Sequence, residues 1–442
     1  MVTGSQMCAE VELKAKRWLR GGDYRGPAVV TSTCEHAFVA VFTLGEEKFA
    51  VPLAEDPACP QGREACVDRR NLCEAEFSEL FVEELLSGRC PGLELEVFSE
   101  LQGSAEFLQV LGEEATNPHA LFKLGNDRVV VKGYRLLRDW NPEPSFLKYL
   151  SGKGVSPRLH TAYRLGDRPL GVIVEFVEGV DPGSIVYSDA LAYVRGEESG
   201  SAREVLSLTS RKLAEFHRLM LDCREIWCSP STVAETDVER WLDRMRFYLS
   251  NLRLEPGVSA HLRELVERSR EKLENYVGSL KLRIHQDFHF SQTLLSRSGD
   301  LVIVDFEGEP ARPSWCASEL EPGLRDLATL LRAISYISFF ALREATGWRL
   351  EEAKAALLRG EGPVQRIVEW GWEAVEIIAE SYLRSTPKSV CPLVSLDDAL
   401  ELLFPWFLER ALYEAYYEGG YRPHLVQVAV STLLAGIPPT KR

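Results

Sequence analysis

Long apolar runs, CxxC cysteine pairs and a GxxxxGK[ST] phosphate loop are all missing from this 442-residue chain. No apolar run approaches the roughly 20 residues that span a bilayer, and the first twenty residues lack a signal-peptide core. A soluble, cytoplasmic protein without a membrane partner is expected. Positive charge is also in short supply: 51 Lys and Arg face 66 Asp and Glu, a net of −15. Such a balance repels polyanions, so nucleic acid is excluded as a partner. The missing phosphate loop removes the P-loop NTPases.

Cysteine is the exception to these shortages, with ten residues, six of them (Cys8, Cys34, Cys59, Cys66, Cys73, Cys90) in the first hundred. The seven-residue steps Cys59, Cys66, Cys73 would share a helix face, but Pro60 and Gly62 argue against a helix there. Reduced, partly buried thiols are expected, with disulfides as the alternative and no metal at these positions.

The length allows two or three domains, each with its own core. Residues 1–90 read as a small mixed unit: a short helix over VELKAKRWL, hairpin strands at HAFVAVFTLG and EEKFAVPL, and a closing helix over residues 74–86. Residues 91–179 carry the strand-like SAEFLQVLGEE, NPHALFKLG, DRVVVKGYRLL and GVIVEFVEG, a second antiparallel sheet. Residues 180–442 turn to long amphipathic helices such as AREVLSLTSRKLAEFHRLML and LRDLATLLRAISYISFFAL. Strands followed by helices give an α+β class with two lobes.

The densest polar cluster is HQDFHFSQ, residues 285–292, set between the strand-like LRIH and DLVIVDF. Asp287, the carboxamide of Gln292 and, 18 residues after Asp287, the carboxylate of Asp305 make an oxygen-rich set that suits Mg²⁺ better than a transition metal. Asp287 is then available to orient a hydroxyl and accept its proton. Phosphoryl transfer needs such parts, because its catalysis is mostly positioning and charge neutralisation. It also needs a cation for the nucleotide phosphates, and Lys132 lies inside the apolar strand RVVVKGYR, where a buried amine requires a partner. Strand lysine, EFVEG, HxDxHxxQ and DFE follow one another in the order that protein kinases share with small-molecule kinases.

In DFEGEPARP, LRDLATLLRAISY, LAEFHRLM and ERALYEAYYEGGYRP the chain resembles the aminoglycoside phosphotransferase-like kinases, and within them the maltokinases and related glucosamine kinases. RWLRGG and NDRVVVKGYR are similar to that family's amino-terminal cap and nucleotide-lobe strands. The resemblance implies a two-lobed protein kinase-like fold with an amino-terminal cap subdomain (1–90), a nucleotide-binding lobe (91–179) and a helical catalytic lobe (180–442). It implies Asp287 as the base, Gln292 and Asp305 as Mg²⁺ ligands, and Glu307 as a further metal or acceptor group. Lys132 would contact the phosphates of ATP, and Glu175, Phe176 and Val177 would form the adenine hinge. The turn GEEATNP would bring Thr116 and Asn117 to the phosphates. His285 and His289 would brace the loop, with His289 also a candidate for the acceptor, and His217 would be structural.

The acceptor pocket would use the carboxy-terminal segment, where Tyr413 and Tyr417, and Glu414 and Glu418, repeat at i, i+4 on a helix, followed by Arg422. Rings beside carboxylates suit a sugar, although packing explains the rings equally well. Two departures stand out. The maltokinase loop reads HGDxHxGQ, whereas Gln286 and Ser291 occupy the glycine positions here. The family glutamate that pairs with the strand lysine falls at Ser145, with Glu143 two residues earlier as its substitute. The expected activity is ATP- and Mg²⁺-dependent phosphorylation of a small-molecule sugar by a monomer or homodimer, most closely maltose to maltose 1-phosphate. Glucosamine to its 6-phosphate is the alternative, and an inactive kinase-like binding module is the alternative of another class.

Overall fold

The computed structural model describes residues 6–14, 19, 22–56, 58–112, 117–360, 362–390 and 396–435. The chain divides into two compact units, Met1–Val177 and Glu178–Arg442.

In the first unit, β1 (Gln6–Leu13), β2 (Tyr24–Ser32), β3 (Ala37–Leu44), β4 (Glu47–Ala54), β5 (Glu64–Val67) and β6 (Arg70–Glu74) close into a barrel in the order β1-β2-β3-β4-β6-β5. β5 returns to β1 with Val67 opposite Val11, so the barrel leaves no open edge. Alternation of side chains along a strand explains why β4 is apolar at nearly every position. Phe49, Val51 and Leu53 join Val11, Val30, Phe42 and Leu72 in one core. Ala50 and Ala54 face the other way, into a second core with Phe77, Phe81, Phe122 and Val131.

β7 (Glu94–Val97), β8 (Ala105–Leu111), β9 (His119–Leu124), β10 (Asp127–Gly133), β11 (Leu159–Leu165) and β12 (Arg168–Glu175) form an antiparallel sheet in the order β7-β11-β12-β10-β9-β8. α1 (Glu79–Leu86) and α2 (Glu143–Leu150) complete the unit. Barrel and sheet are joined at Arg135, whose backbone carbonyl accepts from Ala50 N at 2.9 Å. Its guanidinium donates to Glu74 at 2.5 Å and Glu76 at 2.6 Å, and all three side chains are buried.

Three expectations for this unit are corrected. The described part of VELKAKRWL is mostly strand, because Val11 and Leu13 alternate into the barrel core instead of following a helical stripe. The closing helix starts at Glu79 rather than at residue 74: residues up to Glu74 pair in β6, and the Ser78 hydroxyl caps the helix by accepting from Phe81 N. Finally, Cys34–Cys90, Cys59–Cys73 and, in the second unit, Cys223–Cys228 are disulfides, while Cys8, Cys66 and Cys316 are free. Barrel closure brings together thiols far apart in sequence, Cys34 and Cys90 being 56 residues apart. Closing a loop of that size restricts the unfolded chain by about 4 kcal/mol. Cys34→Ser is therefore expected to lower the unfolding midpoint of the oxidised protein and to leave that of the reduced protein nearly unchanged, as read by circular dichroism.

The second unit contains α3 (Pro182–Arg195), α4 (Arg203–Leu221), α5 (Glu235–Ser250), α6 (Pro256–Glu274), α7 (Leu324–Thr346), α8 (Leu350–Arg359), α9 (Pro363–Ser385), α10 (Leu396–Tyr421) and α11 (Val426–Leu434). β13 (Gly179–Val180), β16 (Thr293–Ser296) and β17 (Leu301–Ile303) make a small sheet, and β14 (Ser231–Thr232) pairs with β15 (Leu280–Lys281). α7 packs against α3, α9 and α10 and buries Leu327, Leu330, Leu331 and Ile334, the stripe that its sequence period predicts. It ends where Gly347 takes a left-handed conformation, at φ 69°. Among the described residues no helix is long and apolar enough to cross a membrane.

Candidate active site

Lys132 lies on β10, which alternates apolar residues toward the core, and only 4% of its surface is exposed. Its Nζ sits 2.7 Å from Glu143 Oε2, at the first turn of α2. Tyr134 donates to the same oxygen at 2.8 Å, and Asn141 Oδ1 accepts from Glu143 N at 3.0 Å. The buried amine thus has its carboxylate, supplied by Glu143 rather than from position 145.

The other candidate residues of the first unit are placed as follows. Asn117 Oδ1 accepts from Arg135 N at 3.0 Å. Thr116 and most of RWLRGG lie outside the described residues. Glu175 ends β12, and Phe176 N donates to Arg128 O at 2.9 Å under a guanidinium 4.3 Å from the Phe176 ring. Val177 follows, half-buried.

In the second unit the segment HQDFHFSQ connects β15 to β16 and is held from below by Asp326, near the start of α7. The fully buried Asp326 carboxylate accepts from His285 N at 2.7 Å and Gln286 N at 2.8 Å, and the His217 ring is 3.1 Å away. His217 also bonds the Tyr382 hydroxyl at 2.7 Å, a structural role as expected. His285 Nε2 donates to Val304 O at 3.1 Å, and its ring packs on Phe306 and Phe288. It braces the loop.

Gln286 adopts φ 72°, the left-handed conformation in which glycine is favoured. A non-glycine residue there costs roughly 1–2 kcal/mol. Anchors offset that cost: its N–H binds Asp326, its carbonyl accepts from Arg325 at 3.3 Å, and its Nε2 donates to Ala317 O at 3.3 Å. Ser291 is different. It has no left-handed backbone, and its hydroxyl donates to Asp181 Oδ2 at 2.9 Å, so serine fits without strain.

Asp305 is also left-handed, at φ 61°, a conformation that Asp tolerates better than most residues. The turn points its carboxylate back at the loop, where Oδ2 accepts from Gln292 Nε2 at 3.1 Å. The Gln292 amide oxygen and the Asp305 carboxylate are hard donors of the kind Mg²⁺ takes, and the half-buried Glu307 lies two residues on. The donor set fits a divalent cation. Burial pushes the His289 imidazole below its ordinary value, with Asp287 opposing and Arg410 assisting.

Asp287 Oδ1 accepts from Arg410 Nη2 at 2.6 Å. Arg410 belongs to a buried ionic network. Its Nη1 meets Glu309 at 3.0 Å and its Nε meets Glu414 at 3.1 Å. Arg325 joins Glu309 at 2.8 Å to Glu409 at 3.0 Å, while Arg244 reaches Glu409 at 3.0 Å and Glu321 at 2.6 Å. Burial pushes Glu309 upward against the pull of Arg325. At Glu321 the upward push of burial is outweighed by Arg244, Arg312 and Arg325, and the carboxyl lies well below the usual range.

The carboxy-terminal candidates divide. Tyr413 is buried, its hydroxyl accepts from Ala311 N at 3.3 Å, and its ring lies 4.9 Å from the Arg410 guanidinium. Together with Glu414 it is tied to Asp287 through Arg410. Glu414 also accepts from Arg332 at 2.9 Å. One and two turns on, Tyr417 stacks on Tyr421 with centroids 4.5 Å apart, and Glu418 is gripped by Arg422 at 2.6 and 2.8 Å. Sequence reasoning missed Asp326, Arg325 and Arg410. The available signal was charge set among apolar residues in LRDLATLL and FLERALYE, which is stable in a core only when paired.

No family model matches this sequence. Solved structures do. A glucosamine kinase in complex with glucosamine, ADP and inorganic phosphate matches with a TM-score of 0.65 at 17% identity, over 94% of each chain. Glucosamine kinase in crystal form B gives 0.63 at 18% identity over 92% of each chain. Crystal form A gives 0.64 at 18%, over 92% of this chain and 91% of that one. Over nearly its whole length, this chain has the α+β kinase-like fold of the glucosamine kinases.

Proposed function

We propose that the chain is an ATP- and Mg²⁺-dependent kinase that phosphorylates a hydroxyl of a small sugar. The observation that carries this reading is that Asp287 and Gln292 share one loop and that the Gln292 side chain meets Asp305, after the next hairpin, at 3.1 Å. Asp287 accepts the proton of the acceptor hydroxyl as the hydroxyl oxygen forms its bond to the γ-phosphorus and the bond to ADP breaks. Lys132, paired with Glu143 at 2.7 Å, binds donor phosphates, and Glu175, Phe176 and Val177 supply the adenine hinge. Asn117 would lie along the phosphates. Gln292 and Asp305 would hold Mg²⁺, with Glu307 as a further ligand. The cation, when bound, supplies charge neutralisation on the phosphate oxygens. The Lys132–Glu143 pair also weakens the reading as an inactive binding module, which rested on a missing lysine partner.

For the acceptor, the charges favour a neutral sugar, with maltose to maltose 1-phosphate as the specific reading. Of the four candidates to receive an amine, Glu307, Glu309, Glu414 and Glu418, the last three are bound by arginine. Glucosamine is the second reading, favoured by the match to a glucosamine-bound kinase over 94% of the chain. Incubation with ATP, Mg²⁺ and each of maltose, glucose, glucosamine and an aminoglycoside, with NMR of the product, decides. Maltose 1-phosphate is expected, and glucosamine 6-phosphate would replace it with the second reading. EDTA should abolish turnover, and activity without any divalent ion would remove the role given to Gln292 and Asp305. No transfer to any sugar would overturn the proposal.

A further inference from the structure

We infer that Arg410 is a positioning residue that fixes which oxygen of Asp287 takes the proton. The inference rests on the kinase reading above for the reaction, though not for the contact. The guanidinium is bound on three sides: Nη2 to Asp287 Oδ1 at 2.6 Å, Nη1 to Glu309 at 3.0 Å and Nε to Glu414 at 3.1 Å. The Tyr413 ring covers a face at 4.9 Å, and Arg410 itself is 8% exposed. A planar fork held by three carboxylates and a ring has little rotational freedom. It therefore fixes the rotamer of Asp287.

The second oxygen, Oδ2, has no donor among the described residues, and the Asp287 side chain keeps 14% of its surface accessible. Oδ1 is thus the anchored oxygen and Oδ2 the reactive one. When the acceptor hydroxyl bonds to the γ-phosphorus and the bond to ADP breaks, its proton passes to Oδ2, and Arg410 stays protonated throughout. The arrangement also explains why a buried arginine lies so near a group that must accept a proton. Glu309 and Glu414 also hold it, so the base is aligned by a cation that is not committed to Asp287 alone.

Arg410→Ala and Arg410→Lys test this, each alone and combined with Asp287→Asn. For Arg410→Ala, kcat is expected to fall about 100-fold, the scale of a misaligned reacting group, with the KM for ATP within about twofold. Arg410→Lys keeps the charge without the fork and is expected to lose about tenfold, and it decides the matter if the alanine variant does not fold. Added guanidinium ion should restore part of the alanine variant's rate. In the Asp287→Asn background either substitution should leave the residual kcat unchanged, because nothing remains to align. An unchanged kcat in the single variants, or an equal loss in both backgrounds, overturns the inference. The unfolding midpoints of the same proteins give a readout independent of catalysis: coupling between positions 287 and 410 is expected, and its absence refutes the contact. Coupling in a chain that phosphorylates no sugar would overturn the kinase reading alone.

Discussion

Asp287→Asn is expected to lower kcat about 10³-fold, within the range that a positioned general base contributes. Nucleotide affinity should change little, because the groups assigned to the donor, Lys132 and Glu143, lie in the other unit of the chain. Folding should also survive. Arg410 loses one of its three carboxylates but keeps Glu309 and Glu414, so no buried charge is left alone. Steady-state kinetics, nucleotide binding by calorimetry and a thermal scan separate these outcomes. Full activity in the asparagine variant would remove Asp287 from the chemistry altogether.

Asp326→Ala should be the most damaging single change to the second unit. Its carboxylate satisfies the N–H groups of His285 and Gln286 and the ring of His217, all in a fully buried setting. Each donor left unsatisfied costs about 1–3 kcal/mol, so a total near 3–5 kcal/mol is expected. The loss has a second consequence: without Asp326 the left-handed backbone of Gln286 keeps only the longer contacts from Arg325 and to Ala317 O, and the residue that precedes Asp287 relaxes. Activity per folded molecule should fall as well, by at least tenfold. Asp326→Asn, which keeps one acceptor oxygen, should lie between the two in a chemical-denaturation series. A stable, fully active alanine variant would show that the loop does not hang from this carboxylate.

The sequence made the chemistry of the loop legible because the chemistry is local: Asp287, Gln292 and Asp305 fall within 19 positions, and two strands bracket them. Lys132 was legible for the same reason, as a charge inside an apolar strand. What escaped depends on partners remote in the chain. Arg410 meets Asp287 across 123 positions, and Asp326 reaches His285 across 41. Neither distance leaves a periodic trace. The described start of VELKAKRWL was misread because its apolar residues satisfy a helical and an alternating pattern at once, and only the closure of the barrel through Val11 and Val67 selects the strand. The disulfides were hidden similarly. Cys34 and Cys90 have no motif in common, and the barrel and α1 bring them together. Of the two departures from the family loop, Gln286 proved to be a real backbone substitution for glycine, whereas Ser291 makes no such demand.

The arginine and glutamate network beneath Asp287 has a thermal consequence. Removing Arg244, Arg325, Glu321 and Glu409 from water is costly at 25 °C, where charge is strongly hydrated, so the network adds little net stability there. Hydration of charge weakens as temperature rises, while the ion pairs persist. The second unit therefore loses less of its stability on heating than an apolar core of the same size, and the loop that it supports keeps its geometry toward the warm end of the protein's range.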